Sequence, residues 1–147
     1  MTLAEIQQAV AGIIKSEPWF GARGYAPVCE ASGDLDDALE AAVKEGEGCA
    51  ILVAVGTFEP QSTGAKTAVG TLEVRCAVAE SPPLNRAKAK WAAASQAAEH
   101  LAAHLNLAQV GSETLYGPAF RPEHTADLLK YVVTLKMHHV LEGIVTS

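Results

Sequence analysis

No apolar run in this sequence approaches the roughly 18–20 residues that a membrane helix needs, which argues against a helical span. The opening residues, MTLAEIQQAV, lack the basic and apolar regions of a secretory signal, so none is expected. Cysteine is scarce. Cys29, Cys49 and Cys76 are odd in number and in no metal-ligand spacing, so they read as small buried apolar residues of a reduced compartment. Their apolar or acidic contexts do not raise thiolate character, and no Cys–His pairing is evident. Glycine-rich phosphate loops are missing too. STGAKT at 62–67 ends like one, yet it lacks the first glycine and the Gly-Lys-Ser/Thr core, and it lies between two strands.

What is present is apolar: 49% of 147 residues, enough for a core and too much for wholesale disorder. That length suits one domain, or one domain with arms. The net charge is −6, and all of it lies in residues 1–50, where nine acids meet three bases; residues 51–147 carry eight of each sign. An acidic surface repels phosphate, so a DNA-gripping groove is not expected there. A solvated helix face is the simplest use of those acids, and a surface for a basic partner is the functional one.

Thr2 and Glu5 form a capping box ahead of Leu3, Ile6, Val10, Ile13 and Ile14, a helical stripe that Pro18 stops. Trp19 and Phe20 are expected to fold back onto the core. A second helix starts at Asp34, with Leu35, Leu39, Ala42 and Val43 on one side and Gly46 and Gly48 at its end. CAILVAVGTF (49–58) reads as a central strand buried on both faces. Residues 59–70, EPQSTGAKTAVG, read as a long hairpin loop. TLEVRCAVAE (71–80) alternates cleanly, with Leu72, Val74, Cys76 and Val78 on one face and Glu73 and Arg75 on the other. Ser81-Pro82-Pro83 then starts a long helix lined by Leu84, Ala87, Trp91, Ala94, Ala98, Leu101 and Leu105, ending at Asn106. Residues 107–116 read as a short, weak strand or an irregular stretch, and Gly117-Pro118 with Arg121-Pro122 as the frame of a turn. Asp127–Leu141 forms the last strand, with Tyr131, Val133, Leu135, Met137, His139 and Leu141 on one face and Thr134, Lys136 and His138 on the other. The expectation is an α+β fold: a single two-layer domain over 1–147, an antiparallel sheet with helices packed on one face and an extended hairpin loop at 59–70.

Chemistry-bearing residues are few. His100 and His104 have the four-residue spacing of helical metal ligands, but EHLAAH is not HExxH, and a third ligand from His124, His138 or His139 is fixed by nothing. They read as polar-face or interface histidines. His138 and His139 are adjacent in a strand and point apart, one exposed and one packed. Asp36 and Asp37 likewise diverge on a helix, so paired acid/base work is not implied. No catalytic residue, metal or cofactor is assigned.

The element order resembles the tail terminator and tail-completion proteins of tailed bacteriophages, including the Mu-like minor tail family. The likeness rests on CAILVAVGTF, EPQSTGAKTAVG, TLEVRCAVAE, the helix SPPLNRAKAKWAAASQAAEHLAAHL and the closing strand DLLKYVVTLKMHHVL. It implies a structural virion protein, assembled in the host cytoplasm without catalysis or cofactor. Such a protein is a homo-oligomeric ring, typically a hexamer, that caps the tail tube and meets neck or connector proteins through head-to-tail contacts. DNA passes through an acidic lumen without sequence-specific binding, and no membrane is involved. The expected contacts are Gln61, Thr63 and Lys66 of the loop, Arg86, Lys88 and Lys90 at the helix start, and Asp34, Asp36 and Asp37. Alternatives are another neck, connector or baseplate component, a small cytoplasmic enzyme or ligand-binding domain with a pocket at Trp91, Tyr116 and Tyr131, or a regulatory binding module.

Overall fold

A computed structural model describes residues 1–29, 35–82 and 92–142. Helix α1 (Leu3–Lys15) starts on the capping box: Thr2 Oγ1 accepts the Glu5 amide at 3.2 Å and Glu5 Oε1 accepts the Thr2 amide at 2.9 Å. Its buried stripe is Ile6, Val10, Ala11 and Ile14. Pro18 both ends α1 and opens a short α2 (Pro18–Ala22), where its missing N–H costs nothing and Glu17 accepts from Trp19. Phe20 is buried and Trp19 half-buried, so both aromatics do fold back.

The sheet comprises β1 (Pro27–Cys29), β2 (Cys49–Gly64), β3 (Thr67–Glu80), β6 (Tyr116–Pro122) and β7 (Leu129–Glu142), in the order β1-β2-β3-β7-β6. All neighbours are antiparallel except β1 and β2, which pair in parallel over Pro27–Cys29 and Ile51–Val53. A small β4–β5 hairpin (Gln109–Val110, Glu113–Thr114) stands apart. The fold is α+β in one domain.

The alternation of β-strands gives the sheet two apolar faces. On the first, Ile51, Val53, Leu72, Val74, Cys76, Val78, Val133, Leu135 and Met137 pack against α1 and against α4 (Ala94–Leu105). On the second, Ala50, Leu52, Ala77 and Ala79 meet Leu39, Ala42 and Val43 of α3 (Leu35–Glu45). This corrects the expectation that the helices share one face. A parallel β1–β2 pair needs a crossover, α3 supplies it, and the crossover covers the second face. Residues 49–54 are consequently buried on both sides, as expected of a central strand.

Three local expectations are also corrected. Residues 59–70 are not a loop: β2 and β3 run on to a two-residue turn at Ala65–Lys66, with Gly64 opposite Thr67 and Lys66 at φ 63. Polar composition misled there, because a strand exposed on both faces carries no apolar alternation. The helix after Pro83 does not run unbroken to Leu105. Ala92 and Ala93 are not helical, Ala93 is extended at ψ 148, and α4 begins at Ala94. Ala94, Ala98, Leu101 and Leu105 are buried as the spacing predicts, whereas Leu84, Ala87 and Trp91 lie outside the described residues. The Gly117–Pro122 segment is an edge strand rather than a turn, with an irregularity between Tyr116 and Ala119 that accommodates Pro118.

Candidate functional site

The outer part of β2, the start of β3 and the end of β7 form a three-stranded arm. Pairing runs along it from Glu59–Thr71 to Gly64–Thr67, with an irregularity between Pro60 and Ser62, and from Thr71–His138 to Thr67–Glu142. From Glu59 to Thr67 every residue is exposed. Its free end from Pro60 to the turn is about 17 Å long at 3.4 Å per strand residue. The arm carries Val140 and Leu141 at 43% and 40% exposure, with half-buried Ala68 and Val69 opposite them in register. Apolar side chains left open in register are a cost unless another surface covers them.

Alongside β7 of the arm, from Met137 to Leu141, the sheet face, α1 and the β4–β5 hairpin enclose a groove of about 510 Å³. Met137, His139 and Leu141 line its sheet side, Met1, Leu3 and Glu5 its helix side, and Val110 and Glu113 the hairpin side. His139 is buried, and Phe58 meets its ring edge-on at 6.0 Å. Burial holds its pKa below the ordinary histidine value, with the Met1 ammonium and then the neighbouring His138 adding to the effect. His138 is exposed, so the adjacent pair splits between packing and solvent as expected. The Thr2 backbone and side-chain hydrogen bonds hold the Glu5 carboxyl below the usual carboxylate range.

The expected contact residues fall in two places. Gln61, Thr63 and Lys66 are all exposed on the arm; Gln61 Nε2 donates to Thr71 Oγ1 at 3.2 Å, Thr63 sits opposite Ala68, and Lys66 is at the turn. Asp36 and Asp37 are exposed in the first turn of α3. Asp36 Oδ1 lies 3.5 Å from Lys130 Nζ, which also approaches Glu123 at 3.7 Å. Asp36 therefore ties α3 to β7 across the second sheet face. Asp34, Arg86, Lys88 and Lys90 lie outside the described residues.

The remaining chemistry is dispersed. His100 stacks on Trp19 at 4.5 Å, and Arg23 covers the same indole at 4.4 Å. His104 Nε2 is 3.1 Å from the Ile13 carbonyl, and its Nδ1 is 3.8 Å from Glu17. The helical histidine pair thus joins α4 to the α1–α2 corner. His124 accepts the Lys130 amide on its Nδ1 at 3.1 Å. Among the described residues no three His, Cys, Asp or Glu side chains are grouped to hold a metal ion. Burial pushes the Cys49 and Cys76 thiols up to about 12, so neither is a thiolate near neutral pH. Tyr116 and Tyr131 do not share a pocket. Tyr116 pairs with Lys136 at one end of β6, Tyr131 pairs with Pro122 at the other, and the third expected wall, Trp91, is outside the described residues.

Two buried polar groups escaped the sequence reading. Tyr25 donates its hydroxyl to the Ala92 carbonyl at 2.6 Å, and Glu80 accepts the Ala94 amide at 3.0 Å. Together they pin the start of α4, whose own first-cap residue, Ala93, has no side chain for the task. A glutamate closing an alternating strand gave the only signal for this.

The chain matches no protein-family model and no curated protein. Among the described residues no helix is long and apolar enough to cross a membrane.

Proposed function

We propose that this chain is a structural virion protein of a tailed phage or phage-like particle, a tail terminator that forms a ring on the finished tail tube and joins it to the neck. The arm is the observation that supports this reading. A ribbon of three paired strands, with open apolar side chains near its end, has the form of a contact element. Its tip and its root differ in chemistry, which suits the head-to-tail contacts from which closed rings are built. The role asks for no catalysis and no cofactor. The exposed acids of α3 suit a lumen through which DNA slides without adhering.

A second reading, a ligand-binding domain, draws on the groove beside the arm, whose volume falls within the range of small-molecule sites. Shortening the arm by removing 61–67 and reclosing the turn separates the two. The ring reading expects a folded monomer, by circular dichroism, that no longer assembles or caps tubes. A shortened chain that still caps tubes, or one that loses its fold, overturns it. A ligand-dependent rise in melting temperature that survives shortening supports the binding domain instead.

A further inference from the structure

We propose that the free edge of β7 pairs with the same edge of a second copy of this chain, antiparallel and centred on Val140, so that two copies share one continuous sheet. The inference goes beyond the ring reading and does not depend on it. Three observations carry it.

The first is an unpaired edge. Strand β6 covers β7 only as far as Tyr116 opposite Lys136. The preceding residue, Leu115, donates its amide to the Ala108 carbonyl and accepts the Leu107 amide on its own carbonyl, both at 2.9 Å, and its side chain enters the first-face core. Glu113 and Thr114 pair with Val110 and Gln109. From Met137 to Glu142, β7 therefore has β3 on one side and, among the described residues, no paired strand on the other. The groove agrees with this. Five consecutive β7 residues, Met137 to Leu141, line it, and successive side chains point to opposite faces, so a hollow that touches all five runs along the edge of the sheet. An open row of amides and carbonyls is a template for another strand.

The second is that this edge carries no guard, whereas the others do. Strand β1 is three residues long and starts at Pro27. The outer part of β2 holds Glu59 and Pro60 and is irregular between Val55 and Phe58 and between Pro60 and Ser62. Strand β6 holds Pro118 and Pro122 and is irregular between Tyr116 and Ala119. By contrast, the β3–β7 ladder runs from Glu80–Leu129 to Thr67–Glu142 with no shift of register, and Met137–Leu141 contains no proline, lysine, arginine, aspartate or glutamate. Folded chains avoid leaving a flat, uncharged edge bare.

The third is self-complementarity, which names the partner. In a two-fold contact each position meets itself or its mirror position, so an edge pairs with its own copy only where like residues tolerate one another. With the axis normal to the sheet at Val140, Val140 meets Val140 and Leu141 meets His139, which shares its face. Val140 and Leu141 are large apolar side chains left open at this edge, at 43% and 40% exposure, and the pairing covers both. The prolines of β2 and β6 interrupt the row of amides that a matching strand must offer, so the strand that fits is β7 of another copy.

The test uses the full chain and reads mass by light scattering at pH 7.5 across a concentration series. Val140→Lys and Val140→Glu each set like charges face to face on the axis. Each should halve the mass of the parent, whether the parent is a dimer or a pair of joined rings, with circular dichroism unchanged. An equimolar mixture of the two variants sets a lysine against a glutamate and should restore the parent's mass. Val140→Cys should give a disulfide-linked dimer under mild oxidation that the parent does not give. Charged variants that keep the parent's mass overturn the inference. So does a mixture that stays at half mass, because the edge then meets something other than its own counterpart. A parent that is monomeric at every concentration overturns it as well. Failure of this contact leaves the ring reading standing, since the shortened arm tests that reading on its own.

Discussion

Gly70 lies where the arm leaves the body of the sheet, and an alanine there should unseat the outer part of β2. A Cβ on Gly70 would lie 2.1 Å from the Glu59 carbonyl oxygen and 2.8 Å from Pro60 Cα. Carbon and oxygen tolerate about 3.3 Å, so the backbones must separate by about 1.2 Å. Both obstructing atoms belong to the backbone, so no rotamer relieves the clash. Adjacent strands are held about 4.8 Å apart by their hydrogen bonds, and a shift of that size breaks the pairing at this point. Overpacking of this kind costs about 1–3 kcal/mol. Restriction of the unfolded chain returns about 0.4–1 kcal/mol of that. A net loss near 1–2 kcal/mol lowers the melting temperature of a domain this size by about 2–8 °C. Amide exchange should accelerate most from Gln61 to Gly64, because β3 keeps its ladder with β7. Gly56→Ala is the control: its Cβ would meet only the side-chain ends of Glu73 and Arg75, which can swing away, so a change within about 0.5 kcal/mol is expected. If Gly70→Ala melted like the parent and left arm exchange unaltered, the close approach of the two strands at the root would be refuted.

Glu80→Ala should destabilise by about 1–3 kcal/mol in denaturant titration, since the Ala94 amide loses its buried acceptor; Glu80→Gln keeps a carbonyl there and should recover most of it. Equal losses for both variants would mean that packing, not the hydrogen bond, holds the start of α4. His139 binds its proton less readily folded than unfolded, so stability is full above the ordinary histidine value of about 6.5 and falls as the pH drops below it towards the lowered folded value. His139→Gln should flatten part of that decline between pH 7.5 and pH 5.5, read from denaturant midpoints, and an unchanged slope would remove His139 from the account.

Much of the framework was legible because local rules and tertiary packing agree. The capping box, the α1 stripe and the 71–80 alternation each say the same thing at both levels. The arm was hidden for the opposite reason. Strand periodicity appears only where one face is wet and the other dry, and Gln61, Thr63 and Thr67 are wet on both. β6 was hidden by its two prolines, which mark turns in sequence and are tolerated at an edge. The groove could not be read at all, since its three walls come from the N-terminal helix, residues 110–113 and the final strand.

By itself, the sequence determined which stretches bury apolar side chains, which ends are capped and where the charge imbalance lies, because periodicity, caps and charge are properties of neighbours along the chain. Only the tertiary structure decided that α3 takes the opposite face from α1 and α4, that Glu80 and Tyr25 anchor a helix far from them, and that β7 outruns β6 and lines a groove with α1 and the β4–β5 hairpin. Those relations join residues distant in sequence, and pairing and packing in three dimensions are what bring such residues together or hold them apart.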